Sequence, residues 1–162
     1  MTRGAILFAF NTTKFDYYSM AEFTAKRINQ HLNIPVTIVT DENSLPSDTK
    51  YKFDNVILVN PDKNNNRDWG MWINKGRYQA YEVSPYDETL LLDGDYLTLT
   101  NSLLDLWAVD FDYKLQHYNR MIGCGTSSTM GPTSLPFVWA TTVAFRKTHR
   151  SQLLFDLVGR IQ

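Results

Sequence analysis

Leu90-Leu91-Leu92-Asp93-Gly94-Asp95-Tyr96 decides the fold: three consecutive leucines run straight into two carboxylates one residue apart. Continuous rather than alternating hydrophobicity belongs to a strand covered on both faces, as in a parallel sheet. In open α/β sheets, ligands bind beyond the carboxyl ends of the strands, so an acidic turn there points to a site. Hard divalent ions such as Mg²⁺ or Mn²⁺ take oxygen ligands, and one or two carboxylates plus substrate phosphates is their usual set. Gly94 is expected to let a phosphate or sugar approach the backbone closely. The ordinary alternative is an Asp-Gly turn that joins two strands and does nothing more.

Working outward, residues 5–10 form an apolar run preceded by Gly4 and stopped by Asn11-Thr12-Thr13. A helix is expected over residues 16–32, with Asp16 as N-cap and Tyr17, Ala21, Ala25, Ile28 and Leu32 on one stripe. Strands are expected at residues 36–40, ending in Asp41, and at 55–59, stopped by Asn60-Pro61. Residues 62–68 read as an exposed polar loop, and 69–83 as a helix with Trp72, Gly76, Ala80 and Val83 on one side. Beyond the acidic turn, Leu97 and Leu99 alternate with Thr98 and Thr100, so extended chain resumes there. A short helix capped by Asn101 or Ser102 runs to Val109, and residues 114–118 suit an edge strand. Residues 123–136, rich in Gly, Ser, Thr and Pro, read as a mobile loop; residues 137–146 read as a strand and 151–161 as an amphipathic helix. Strands alternating with helices imply an α/β fold: a mostly parallel sheet with helices on both faces.

The composition narrows the classes. At 162 residues and 43% hydrophobic, the chain can bury one sizeable core, and a disordered chain is excluded. A net charge of −1 gives no overall pull toward nucleic acid or anionic membrane. Cys124 is the single cysteine, which fits a reducing compartment. The first apolar run is too short for a signal segment, and nothing approaches the roughly 18 apolar residues of a membrane span. A soluble, cytoplasmic protein is therefore expected. His31, His117 and His149 lack metal-ligand spacing, and no phosphate-binding Gly-rich loop or nucleophile elbow is present. With no repeat or linker, residues 1–162 are expected to be one domain. The sequence stops inside an apolar helical pattern without a C-cap signal, so a truncated protein, or one with its other half on another chain, is expected.

The run YDETLLLDGDYLTL at residues 86–99 resembles the strand-plus-DxD segment of GT-A fold glycosyltransferases, particularly the glycogenin and lipopolysaccharide-galactosyltransferase type. TTVAFRKTHRSQLLFDLV at residues 141–158 is similar to the later strand and helix of that family, and the order of elements agrees. The resemblance implies a nucleoside diphosphate sugar donor, UDP-sugar favoured, bound with Mn²⁺ or Mg²⁺ at Asp93 and Asp95. It implies that Asn11 and Tyr17 lie in the region that holds base and ribose, with Asp41 near the base. It further implies that Lys75 and Arg77 supply a cation for the donor. The sequence departs from the pattern where the family has Asn-x-Gly, reading Ala140-Thr141-Thr142, and neither His117 nor His149 matches the family's late metal-site histidine. Sugar contacts, acceptor contacts and a catalytic base are therefore unassigned.

Each of these residues also has a plainer reading. Arg77 and Lys75 either hold phosphate, Arg in a bidentate manner and Lys as a point charge, or form a solvated helix face. Asp41 either accepts from a base or ribose hydroxyl or simply makes a turn. Tyr17 and Tyr18 either stack on a base or join the core stripe. Arg67 either meets the acceptor or is solvated, and Trp69, Trp72 and Trp139 either line an acceptor cleft or pack in the core. The expected function is metal-dependent transfer of a sugar to a hydroxyl of a saccharide, a protein side chain or a modified nucleobase. The alternative is a non-catalytic or truncated GT-A-like binding module without turnover. A nucleotidyltransferase of related fold is disfavoured, since Asn11-Thr12-Thr13-Lys14 stands where such enzymes carry a Gly-rich loop.

Overall fold

A computed structural model describes residues 1–60, 65–66, 73–116, 119–121, 125–127 and 139–161. The apolar run at the start forms β1 (Arg3–Phe8), followed by α1 (Tyr17–Leu32), β2 (Val36–Thr40) and β3 (Asn55–Leu58). Two short strands, β4 (Asn65–Asn66) and β5 (Ile73–Asn74), pair with each other. A 3₁₀ segment (Lys75–Gln79) and one α-helical turn, α2 (Ala80–Val83), lead to β6 (Glu88–Asp93). A second 3₁₀ segment (Ser102–Trp107) precedes β7 (Tyr113–Gln116), the small hairpin β8 (Asn119–Met121) and β9 (Gly125–Ser127), β10 (Trp139–Arg146) and α3 (His149–Ile161).

The main sheet has the order β3-β2-β1-β6-β10-β7. Its first four strands are mutually parallel, while β10 and β7 add antiparallel pairings at the other edge. One face packs Ala5, Leu7, Leu90 and Leu92 against Tyr18, Ala21, Ala25 and Ile28 of α1. The other packs Ile6, Phe8, Leu91 and Phe145 against Ala80 of α2 and Phe155 of α3. Successive strand residues thus feed opposite layers, which explains why the leucine run has no polar positions. The α/β class, with helices on both faces of a mostly parallel sheet, is as expected.

Asp16 caps α1, its Oδ1 accepting the Ser19 amide at 3.0 Å. The buried stripe of that helix is Tyr18, Ala21, Ala25, Ile28 and Leu32, so Tyr18 rather than Tyr17 is its first core residue. Tyr18 meets the ring of Phe53 edge-on at 5.8 Å. The helix expected over residues 69–83 is not continuous: its described part begins as strand β5, tightens into 3₁₀ and reaches α-helix only at Ala80. Asn74 and Gly76 are weak helix formers, and Ser84-Pro85 follows at once, so a longer α-helix has little to sustain it. Arg67, Trp69 and Trp72 lie outside the described residues.

At residues 97–100 a threonine, not the leucines, is the inward residue. Thr98 is buried, with its carbonyl oxygen accepting from Arg27 Nε at 3.3 Å, while Leu97 and Leu99 face outward and no strand forms. The helix expected to Val109 is a 3₁₀ segment, and its Asn101 cap position makes no side-chain cap bond. Thr100 Oγ1 accepts the Ser102 amide instead, at 3.3 Å. Part of the expected loop over 123–136 is strand β9; Cys124 and the remainder of that loop lie outside the described residues, as does His117.

Candidate functional site

The strand order creates the site. From β1 the chain moves outward to β2 and β3, then crosses back to place β6 on the other flank of β1. The carboxyl ends of β1 and β6 therefore diverge at a topological switch point, where loops leave a crevice. Phe8 pairs with Asp93 across that boundary. Asn11, just past β1, and the turn Asp93-Gly94-Asp95-Tyr96, just past β6, share this end of the sheet.

The turn is held from three sides. The Tyr96 amide donates to the Asp93 carbonyl at 3.1 Å, closing the turn itself. Thr24 Oγ1 of α1 donates to the Gly94 carbonyl at 2.7 Å, a buried bond that fastens the turn to the helix. Gly94 faces inward: a Cβ there would meet the Phe8 carbonyl oxygen at 3.4 Å, Ala21 Cβ at 3.7 Å and Ala9 Cβ at 3.8 Å. These are ordinary contact distances, so packing alone does not require a glycine here. Mid-helix Thr24 was the signal for this anchor, since a β-branched hydroxyl residue there is otherwise a weak choice.

The two carboxylates part company. Asp93 Oδ1 forms an ion pair with Arg77 Nη1, and Arg77 Nη2 reaches the Thr141 carbonyl at 3.3 Å. The Arg77 side chain is only 12% exposed, and its Nε is buried without a hydrogen-bond partner among the described residues. Burial pushes the guanidinium down to about 10, against the opposing pull of the Asp95 charge, so it stays protonated at neutral pH. Asp95 is exposed and makes no hydrogen bond or ion pair among the described residues. It borders an open groove of about 530 Å³ whose walls include Phe15, Met20 and Phe23.

Asn11 ties the end of β1 to α1: its Oδ1 accepts the Tyr18 amide at 2.9 Å, and its own amide donates to Ser44 Oγ at 2.7 Å. Hydrogen bonds from Ser19, with burial opposing and Asn11 assisting, hold the Asp16 carboxyl below its ordinary value. Asp41 is fully buried at the tip of β2, where its Oδ1 accepts the Ser44 amide at 2.8 Å. Tyr17 is half-buried, with its ring 5.9 Å from that of Phe15. The backbone brings Lys75 beside Arg77, but its side chain lies outside the described part.

Among the described residues, no group of three or more His, Cys, Asp or Glu side chains converges as a metal cage. Asp93 and Asp95 are nevertheless hard oxygen donors of the kind Mg²⁺ or Mn²⁺ accepts, and such ions complete their shells from phosphate and water.

In an open, mostly parallel α/β sheet, such a switch point is where ligands bind. No protein-family model and no curated protein matches the chain. Among solved structures it is similar to the glycosyltransferase GlyE of Streptococcus pneumoniae TIGR4, with a TM-score of 0.55 and 18% identity. That match covers 97% of this chain and 38% of the other. The apo form of the same enzyme matches with a TM-score of 0.52 and 17% identity, over 98% of this chain and 39% of that one. The chain therefore has a glycosyltransferase-like fold and spans less than half the length of these neighbours. No helix among the described residues is long and apolar enough to cross a membrane.

Proposed function

We propose that this chain is the donor-binding part of a GT-A-like, metal-dependent glycosyltransferase. The observation that carries the reading is the Asp93-Gly94-Asp95 turn at the β1/β6 switch point, with one carboxylate on a buried arginine and the other open. A nucleoside diphosphate sugar, UDP-sugar by family resemblance, would lie across this end of the sheet. Asn11 and Tyr17 would frame the nucleoside, with Asp41 buried near the base, and Arg77, with Lys75 beside it in sequence, would face the phosphates. Asp95, assisted by Asp93, would hold Mn²⁺ or Mg²⁺. Bound there, the metal would supply positive charge to offset that of the diphosphate leaving group.

In the transfer, the bond between the anomeric carbon and the phosphate oxygen breaks, and its electron pair leaves with the nucleoside diphosphate. The acceptor oxygen forms the new bond to that carbon, and its proton passes to the departing diphosphate or to solvent. The chain's own part is preorganisation: Thr24 fixes the turn, and the Arg77 cation sits in a largely dry site where charge interactions are strong.

Calorimetric titration of UDP and of UDP-glucose, each with and without Mn²⁺, on wild type and Asp95→Ala tests this. Metal-dependent binding that disappears in the variant is expected. Absence of nucleotide binding, or binding indifferent to both metal and Asp95, would leave the acidic turn a structural feature. Binding without sugar transfer to any acceptor would favour the non-catalytic module.

A further inference from the structure

Arg77 holds a position that a metal ion would contest. Its guanidinium is paired with Asp93, is almost excluded from water, and leaves Nε buried without a partner among the described residues. A buried cation that loses its carboxylate is costly unless another anion replaces it. A divalent ion entering alone would draw on the Asp93 carboxylate, leaving Arg77 unpaired while adding positive charge close by. A diphosphate entering with the metal changes this balance. Guanidinium forks match phosphate oxygens, and an unused Nε–H is a donor ready for one.

We propose that Arg77 is a latch: it occupies Asp93 in the metal-free protein and disfavours metal alone, and it transfers to the donor diphosphate when metal and nucleotide arrive together. This rests on the donor-site reading above and adds its order of assembly. The free protein thereby keeps Asp93 paired, and metal is retained chiefly when a nucleotide is present. The coupling is reciprocal, so nucleotide raises metal affinity by the same factor as metal raises nucleotide affinity. Arg77 is a positioning residue in this account.

The test is Mn²⁺ titration of wild type, Arg77→Gln and Arg77→Lys, with and without saturating UDP, folding being checked by thermal melts. Without nucleotide, Arg77→Gln should bind Mn²⁺ about tenfold more tightly than wild type, because the competitor for Asp93 is gone. In saturating Mn²⁺, the same variant should bind UDP about tenfold more weakly, because the phosphate partner is gone. Opposite signs on the two affinities are not the signature of general damage to the site. Arg77→Lys, which keeps the charge, should return Mn²⁺ affinity toward wild type.

Should Arg77→Gln fail to fold, the wild-type protein still decides. The Arg77 Nε–H resonance, assigned by its loss in Arg77→Lys, should persist unshifted in Mg²⁺ alone and move when UDP is added with Mg²⁺. Unchanged or weaker Mn²⁺ binding in Arg77→Gln, or an Nε–H signal indifferent to UDP with Mg²⁺, overturns the latch. If wild type shows metal-dependent UDP binding while either of those results holds, the latch fails alone. If neither wild type nor variant binds metal or nucleotide, the donor-site reading fails with it.

Discussion

The two ends of β6 carry acid–base pairs of opposite design. At the entrance, Glu88 is 1% exposed and lies between two arginines. Its Oε2 accepts from Arg3 Nε, and its Oε1 accepts from Arg146 Nε at 2.8 Å. Arg146 also pairs with Asp110, Arg3 stacks over Trp107, and Arg146 stacks over Phe111. At the exit, five residues later, Arg77 covers one oxygen of Asp93, leaves its own Nε unsatisfied, and Asp95 stands open. A network in which both oxygens of the buried carboxylate are paired serves the fold. An incomplete one on a fixed turn at a switch point keeps capacity for something that is not part of the chain. One strand thus shows how a charge used for architecture differs from a charge held ready.

The largest effect expected from this contrast is on stability. Glu88→Ala should destabilise the protein by roughly 3 kcal/mol in urea unfolding, since it strips the partner from two arginines packed against the sheet. Metal and nucleotide affinity should stay near wild type. Weakened UDP binding in a folded Glu88→Ala protein would break the separation of the two ends.

Next in size is the reverse pattern at the exit. Asp95→Ala should lose on the order of 10- to 100-fold in Mn²⁺-dependent UDP affinity, as when a charged partner is removed. Its stability should change by less than about 0.5 kcal/mol, because the side chain is exposed. A smaller effect falls on the link between helix and turn. Thr24→Val removes the donor to the Gly94 carbonyl, costing about 1–2 kcal/mol and a few-fold in UDP affinity.

Acid should sharpen the comparison further. Burial pushes the Glu88 carboxyl up, but hydrogen bonds and charge from Arg3 and Arg146 outweigh it and hold the group below its ordinary 4.5. A carboxyl depressed in the folded state stabilises above its unfolded value, and that contribution is lost as pH falls through the folded one. Unfolding free energy followed from pH 6 to pH 2 should therefore fall less steeply in Glu88→Gln than in wild type. The smallest effect is at Gly94: Gly94→Ala meets its neighbours at ordinary contact distances and should keep stability to within about 1 kcal/mol.

Much of this architecture was legible because it is local. The unbroken apolar runs in β1 and β6 announced strands buried on both faces, Asp16 announced the start of α1, and the leucines of residues 153–157 announced α3. What was not legible is set by tertiary contact. Tyr17 and Tyr18 both fit a helical stripe, and only packing against Phe53 selects Tyr18. Thr98 faces inward and its flanking leucines outward because α1, through Arg27, meets that backbone. At the site, the acidic turn and its position past β6 could be read directly. The Arg77–Asp93 pair, the Thr24 anchor and the inward face of Gly94 join segments 16 to 86 positions apart, which no periodicity reports.

The central claim is that the exit of β6, not its entrance, meets a nucleotide. A crystal structure of the protein grown with UDP and Mn²⁺ tests it most directly. The account predicts phosphates at the carboxyl ends of β1 and β6, a metal on Asp95, and the Arg77 guanidinium on a phosphate oxygen. Nucleotide bound elsewhere, for example in the groove between Tyr78 and Arg160, with Asp95 left in solvent, would contradict it.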